Sequence, residues 1–133
     1  MKQDELVSIA FEAMKNAYAP YSGYHVGAAV LCRDGIVFQG ANIENSSFGA
    51  TNCAERSAIF AAYSNGKRKN DIEAVAIVSD GDRVCAPCGI CRQVLSELIP
   101  MDAPLYLSNG KESLTMTLGK LLPMAFGMED VIR

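Results

Sequence analysis

Apolar residues recur along this chain at two periods, and the switch between them predicts its elements. From Asp4 to Tyr18, Leu6, Ala10, Met14 and Ala17 share one helical face, with Val7, Phe11 and Tyr18 beside them. Pro20 and the Tyr21-Ser22-Gly23 cluster end that helix. Val26 to Cys32 is then an unbroken apolar run, and Ile36 to Gly40 a second one. Arg33-Asp34-Gly35 between them signals a β-hairpin. Gly27, Ala28 and Ala29 are small, so another element is expected to pack closely there. The polar stretch Asn42-Ile43-Glu44-Asn45-Ser46-Ser47 leaves the hairpin as a loop.

Helical spacing returns from Cys53 to about Tyr63, with Asn52 placed to cap it and Asn65-Gly66 to end it. Ala58, Ile59, Ala61 and Ala62 make that helix apolar on most sides, which predicts deep burial. Lys67-Arg68-Lys69 reads as a solvated turn. Ile72 to Ser79 is nearly continuous in apolar residues, as in a strand covered on both faces. A third helix is expected from Pro87 or Cys88 to about Ile99, with Cys91, Val94, Leu95, Leu98 and Ile99 inward and Pro100 beyond its end. Leu105-Tyr106-Leu107 gives a fourth strand. Asn109-Gly110 marks a turn, Leu114 to Thr117 a fifth strand and Leu118 to Leu122 a short helix.

The order α-β-β-α-β-α-β-β-α predicts an α/β fold: a three-layer α-β-α domain with a central mixed five-stranded sheet. The early hairpin makes the sheet mixed. At 133 residues the chain suits one domain, 1–133, with a real core. It is 50% hydrophobic and 20% charged, the balance of a globular protein. Its net charge of −3 comes without a basic stripe, so no nucleic-acid partner is expected. The polar start, Met1-Lys2-Gln3-Asp4-Glu5, lacks the features of a secretory leader, and no run is long enough to span a membrane. A cytoplasmic protein with reduced thiols is the expectation.

Five cysteines then change the picture. Cys85, Cys88 and Cys91 crowd one segment, and Cys53 stands two residues from Glu55. Cys88 and Cys91 share one face of a helix start, where the helix dipole favours a thiolate. Cys53 starts another helix. Three such thiolates form a zinc site with an open fourth position for water. His25 reads as a surface or packing residue, so the ligand set is all sulfur. That set leaves excess negative charge, and Arg56, on the Cys53 face, is placed to hydrogen-bond the sulfurs. The plainer alternative for Arg56 is a helix salt bridge. Glu55 has two readings: a capping interaction at the helix start, and a proton shuttle to water at the metal. The distant Pro87-Cys88-Gly89-Ile90-Cys91 favours the second. An iron–sulfur run would need a further Cys-Pro after Cys91, where Arg92-Gln93-Val94 stands instead. Cys85 is left as a small spare residue, an alternative ligand or an oxidation site.

Cys-x-Glu followed by Pro-Cys-x-x-Cys is a signature of zinc-dependent deaminases. The chain resembles the small, all-cysteine, homotetrameric cytidine deaminases over nearly its whole length. The resemblance rests on Ala19-Pro20-Tyr21-Ser22, Val26-Gly27-Ala28-Ala29, Gly40-Ala41-Asn42-Ile43-Glu44-Asn45, Thr51-Asn52-Cys53-Ala54-Glu55-Arg56, Pro87-Cys88-Gly89-Ile90-Cys91-Arg92-Gln93 and Leu121-Leu122-Pro123. It implies hydrolytic deamination of cytidine and 2′-deoxycytidine in pyrimidine salvage. Cys53, Cys88 and Cys91 would hold one Zn²⁺ per subunit, and Glu55 would move protons between water, N3 and the departing ammonia. The Ala54 N–H would contact the pyrimidine carbonyl, and Asn42 and Glu44 the ribose hydroxyls. Tyr24 stands where the family usually has a Phe stacked on the base, and Phe48 where it more often has Tyr. Ser46 replaces the commoner Ala. Phe126 matches an aromatic that the family lends to a neighbouring subunit's site, so a homotetramer with shared sites is implied.

Three other readings compete. A structural zinc module needs a fourth ligand from Cys32 or Cys85. An RNA- or nucleotide-directed deaminase is disfavoured by the missing basic surface and by Glu44, whose charge repels phosphate. A blasticidin-type deaminase shares the zinc motif but is not expected to carry the Asn-x-Glu-Asn loop.

Overall fold

The computed structural model describes residues 1–132. Its elements run α1 (Gln3–Met14), β1 (Val26–Cys32), β2 (Val37–Ala41), α2 (Ala54–Ser64), β3 (Ile72–Ser79), α3 (Gly89–Leu98), β4 (Leu105–Ser108), β5 (Ser113–Met116) and α4 (Leu118–Leu121). The sheet order is β2-β1-β3-β4-β5. β1 pairs antiparallel with β2 and β3, β3 pairs parallel with β4, and β4 pairs antiparallel with β5. The parallel pair needs a crossover, and α3 supplies it.

The continuous apolar runs make physical sense in the two central strands. Ala28, Val30 and Cys32 of β1 join Val75 and Ile77 of β3 in the core beneath α2 and α3. The alternate residues, Ala29 and Leu31 with Ala74, Ala76 and Val78, pack with Leu6 and Ala10 of α1. Successive strand side chains point to opposite faces, so a strand covered on both sides must be apolar throughout. The result is three layers: α1, the mixed sheet, then α2 with α3.

Two glycines set the helix spacing. A Cβ at Gly27 would overlap the Ala10 carbonyl oxygen, so α1 lies directly on β1. A Cβ at Gly40 would come within 2.5 Å of the Ala58 backbone nitrogen, so the first turn of α2 lies as closely on β2. That contact fixes where α2 begins.

Three local expectations are corrected. The first helix stops at Met14, not Tyr18, because the Tyr18 N–H donates to the Asn42 carbonyl at 2.9 Å and Tyr18 bridges Ile43. Asn52 does not cap α2. The N-cap is Cys53, while the Asn52 side chain donates to Ser57 Oγ at 3.0 Å and its backbone pairs with Ile43. Glu55 is therefore the second residue of α2, not the third, and completes no capping box. Among the described residues, no helix is long and apolar enough to cross a membrane.

Candidate active site

The loop after β3 and the starts of α2 and α3 meet at the carboxyl end of β3, where α/β sheets commonly bind ligands. α2 brings Cys53 and Glu55 there, and α3 brings Cys88 and Cys91. The Arg92 guanidinium pins the second of these starts, donating to the carbonyls of Pro87 at 2.8 Å and Leu121 at 2.9 Å. Cys88 Sγ caps α3 by accepting the Cys91 N–H.

The three sulfurs of Cys53, Cys88 and Cys91 all lie within 4.8 Å of one another. Tetrahedral zinc with Zn–S bonds of about 2.3 Å separates its sulfurs by about 3.8 Å. The Cys53 and Cys88 sulfurs are 3.8 Å apart. The donor set thus fits zinc in both chemistry and spacing. No fourth sulfur joins it: Cys32 is buried in the core, and the Cys85 thiol turns to the Ala86 carbonyl. His25 is engaged elsewhere, with Nδ1 2.7 Å from the Asp80 carboxylate.

Arg56 Nη2 donates to Cys53 Sγ at 3.3 Å. The guanidinium thus faces sulfur and not a carboxylate, in place of the helix salt bridge. Hydrogen bonding from Cys91 and Arg56 holds the Cys53 thiol well below the ordinary cysteine range. The proton is pushed onto Cys91, which is held far up. A zinc ion held by Cys53, Cys88 and Cys91 would displace the thiol protons and offset the charge of the three sulfurs.

Glu55 is only 3% exposed. Burial pushes its carboxyl up to about 7, with the Cys53 charge adding to the shift. It sits on the wall of a cavity of about 610 Å³, within the usual range for small-molecule sites. Tyr24, Val26, Asn42, Cys53, Ala54 and Cys88 share that wall. Ala54 opens α2, so its N–H has no partner inside the helix.

Asn42, 8% exposed, is partly committed to the backbone. Its Oδ1 accepts the Val26 N–H at 2.9 Å, and its Nδ2 donates to the Tyr24 carbonyl at 2.8 Å. One N–H and one lone pair remain. Glu44 lies in a neighbouring concavity with Tyr21, Ser22, Asn45 and Phe48, and Thr51 lines both hollows. Its carboxylate accepts the Tyr21 and Ser22 N–H groups and the Ser22 hydroxyl. The Ser22 hydroxyl in particular holds it below the usual carboxylate range.

Phe48 is 80% exposed and Phe126 60% exposed, and neither lines the cavity beside the thiols. Phe126 lies over α3 instead, its carbonyl accepting from Gln93. The sequence pattern gave Thr51 no role of its own and did not single out Arg83, Val84 or Ala86, whereas Cys85, named as a spare residue, an alternative ligand or an oxidation site, stands on the cavity wall. The wall segment has no periodicity, and its only signals were Cys85 itself and its place just before Pro87-Cys88.

Three converging thiols, a buried carboxylate and a small-molecule cavity define a zinc hydrolase type of site on an α/β sheet. Residues 1–105 match the family model of the cytidine and deoxycytidylate deaminase zinc-binding region. A cytidine deaminase of Halalkalibacterium halodurans is 50% identical over 132 residues, 98% of each chain. Another, of Sporosarcina psychrophila, is 45% identical over 132 residues, 98% of this chain and 96% of its own. The crystal structure of cytidine deaminase from Burkholderia pseudomallei matches with a TM-score of 0.91 and 42% identity, over 95% of this chain and 100% of that one. The chain belongs to the cytidine and deoxycytidylate deaminase family.

Proposed function

We propose that this protein is a zinc-dependent hydrolase that converts cytidine and 2′-deoxycytidine to uridine and 2′-deoxyuridine, releasing ammonia. The observation that carries the reading is the cluster of three sulfurs within 4.8 Å of one another, with buried Glu55 beside Cys53 and Cys88 on one cavity wall. Residues 1–133 act as one catalytic domain. Cys53, Cys88 and Cys91 would hold one zinc per subunit, and zinc supplies Lewis acidity that makes water nucleophilic at neutral pH.

The chain's own residues do the rest. Glu55 takes a proton from the attacking water and delivers it to N3 as the C4–O bond forms. It then carries the second proton to the amino group, so that the C4–N bond breaks and ammonia leaves. Burial raises the proton affinity of the Glu55 carboxyl, which suits a group that both accepts and gives protons. The Ala54 N–H holds the pyrimidine carbonyl, and the Tyr24 ring offers a stacking face. The free N–H of Asn42 and the Glu44 carboxylate meet the ribose hydroxyls, with the sugar running across Thr51 and Phe48 alongside. Arg56 offsets the charge of the thiolates.

Glu44 disfavours a phosphorylated substrate, whereas Arg83 on the cavity wall favours one. A panel of cytidine, deoxycytidine, CMP, blasticidin S and adenosine, run with metal analysis, decides between them. The expected result is one zinc per chain and turnover of the two cytidine nucleosides. No turnover of either nucleoside by zinc-loaded protein overturns the proposal. Glu55→Gln should keep its zinc and lose about 10²–10⁴-fold in kcat.

The exposed Phe48, Ile90, Met124 and Phe126 suit burial between copies, and the reading includes a homotetramer in which Phe126 completes a neighbour's site. Five unpaired thiols suit a reducing cytoplasm, and the reaction suits pyrimidine salvage.

A further inference from the structure

The Tyr24 ring forms part of the cavity wall, and Gly81 lies behind it. An added Cβ at Gly81 would stand 2.7 Å from Tyr24 Cε1 and 3.5 Å from both Cζ and the hydroxyl oxygen. Gly81 itself is not on the cavity wall. The ring therefore separates Gly81 from the substrate space. Gly81 has no positive φ, so its backbone conformation admits alanine.

The backbone at Gly81 is held from both sides. Its N–H points to Ser79 Oγ at 3.4 Å, and its carbonyl accepts from Asn109 Nδ2 at 3.2 Å. Asp80, just before it in the chain, donates its N–H to the His25 carbonyl at 3.2 Å and accepts the His25 N–H on its carboxylate at 3.0 Å. The Tyr24 ring, by contrast, is the far end of a side chain that is 38% exposed. Any side chain at position 81 is thus accommodated by the ring and not by the backbone.

We propose that Gly81 is a positioning residue for substrate specificity: its missing side chain lets the Tyr24 ring lie back and sets the width of the nucleoside cavity. The inference rests on the nucleoside reading of the site. Ordinary carbon contacts are about 3.5–4.0 Å, so alanine moves the ring about 1 Å toward the substrate space. A change of one methyl group in a fitted pocket is worth at least about tenfold in discrimination.

The test is a double-mutant cycle with Gly81→Ala and Tyr24→Leu, followed by KM and kcat for cytidine, zinc content and a crystal structure of Gly81→Ala. Gly81→Ala should raise KM about tenfold, change kcat less than about twofold and keep zinc and melting temperature. Leucine has no atom at the contact point, so Gly81→Ala should add nothing in the Tyr24→Leu background. An unchanged KM, or an equal loss in the leucine background, overturns the proposal. The crystal structure reads the ring without reference to turnover: a displaced ring supports the proposal, and a ring left in place overturns it. Absence of turnover in the parent protein would sink the nucleoside reading alone, and the ring position would still decide whether Gly81 sets the cavity width.

Discussion

At the scale of single residues, Glu55 shows how position overrides type. Its local sequence favoured a capping carboxylate, and only the distant Pro87-Cys88-Gly89-Ile90-Cys91 turned the reading to a proton shuttle. One residue of helix phase separated the two, because α2 starts at Ala54 with Cys53 as its N-cap. Asn52 misled for a related reason: its backbone was already paired with Ile43, a contact invisible to local spacing. The burial of Glu55 has a thermodynamic sign. Its unfolded carboxyl titrates near 4.5 and the folded one near 7. Between these values the native state keeps a proton that the unfolded state has lost, so stability falls as pH rises from 4.5 to 7. The metal-free Glu55→Gln protein escapes that loss. Denaturant titrations should show it gaining about 3 kcal/mol on the metal-free parent between pH 4 and pH 8.

Elements were legible where both faces of a strand had to be apolar. The bounds of β1 and β3 follow directly from their runs, since every position of β1, and every position of β3 but Glu73 near its start, is buried. The first helix was overestimated because its last turn is taken by the Tyr18 bridge, a tertiary contact with no local signal. The sequence flagged close packing at Gly27 but not at Gly40, although Gly40 governs the site more directly. The β2–α2 contact at Gly40 sets the depth at which Cys53 and Glu55 sit. Gly40→Val should push the start of α2 off the sheet, costing about 1–3 kcal/mol in stability and lowering zinc occupancy. Chemical denaturation with metal analysis would measure both, and a stable variant with full zinc would show that α2 is positioned from elsewhere.

For the whole molecule, the thiol triad was readable because metal-ligand spacing survives any fold around it. The sugar end was less so. Glu44 and Phe48 occupy a second hollow, and Phe126 lies over α3, so the chain by itself does not gather every expected substrate contact into one cavity. The placement of the thiols also orders events in time. Cys53 precedes the central strand, and Cys88 lies 35 positions further on, beyond it. We expect the three sulfurs to meet only after β3 has slotted between β1 and β4, the longest-range step in closing the sheet. Metal capture is then a clock for that step. In refolding with zinc held by a chromogenic chelator, colour should change at the rate at which β3 amides become protected from exchange. Capture ahead of that protection would mean that Cys88 and Cys91 recruit the ion before the fold exists.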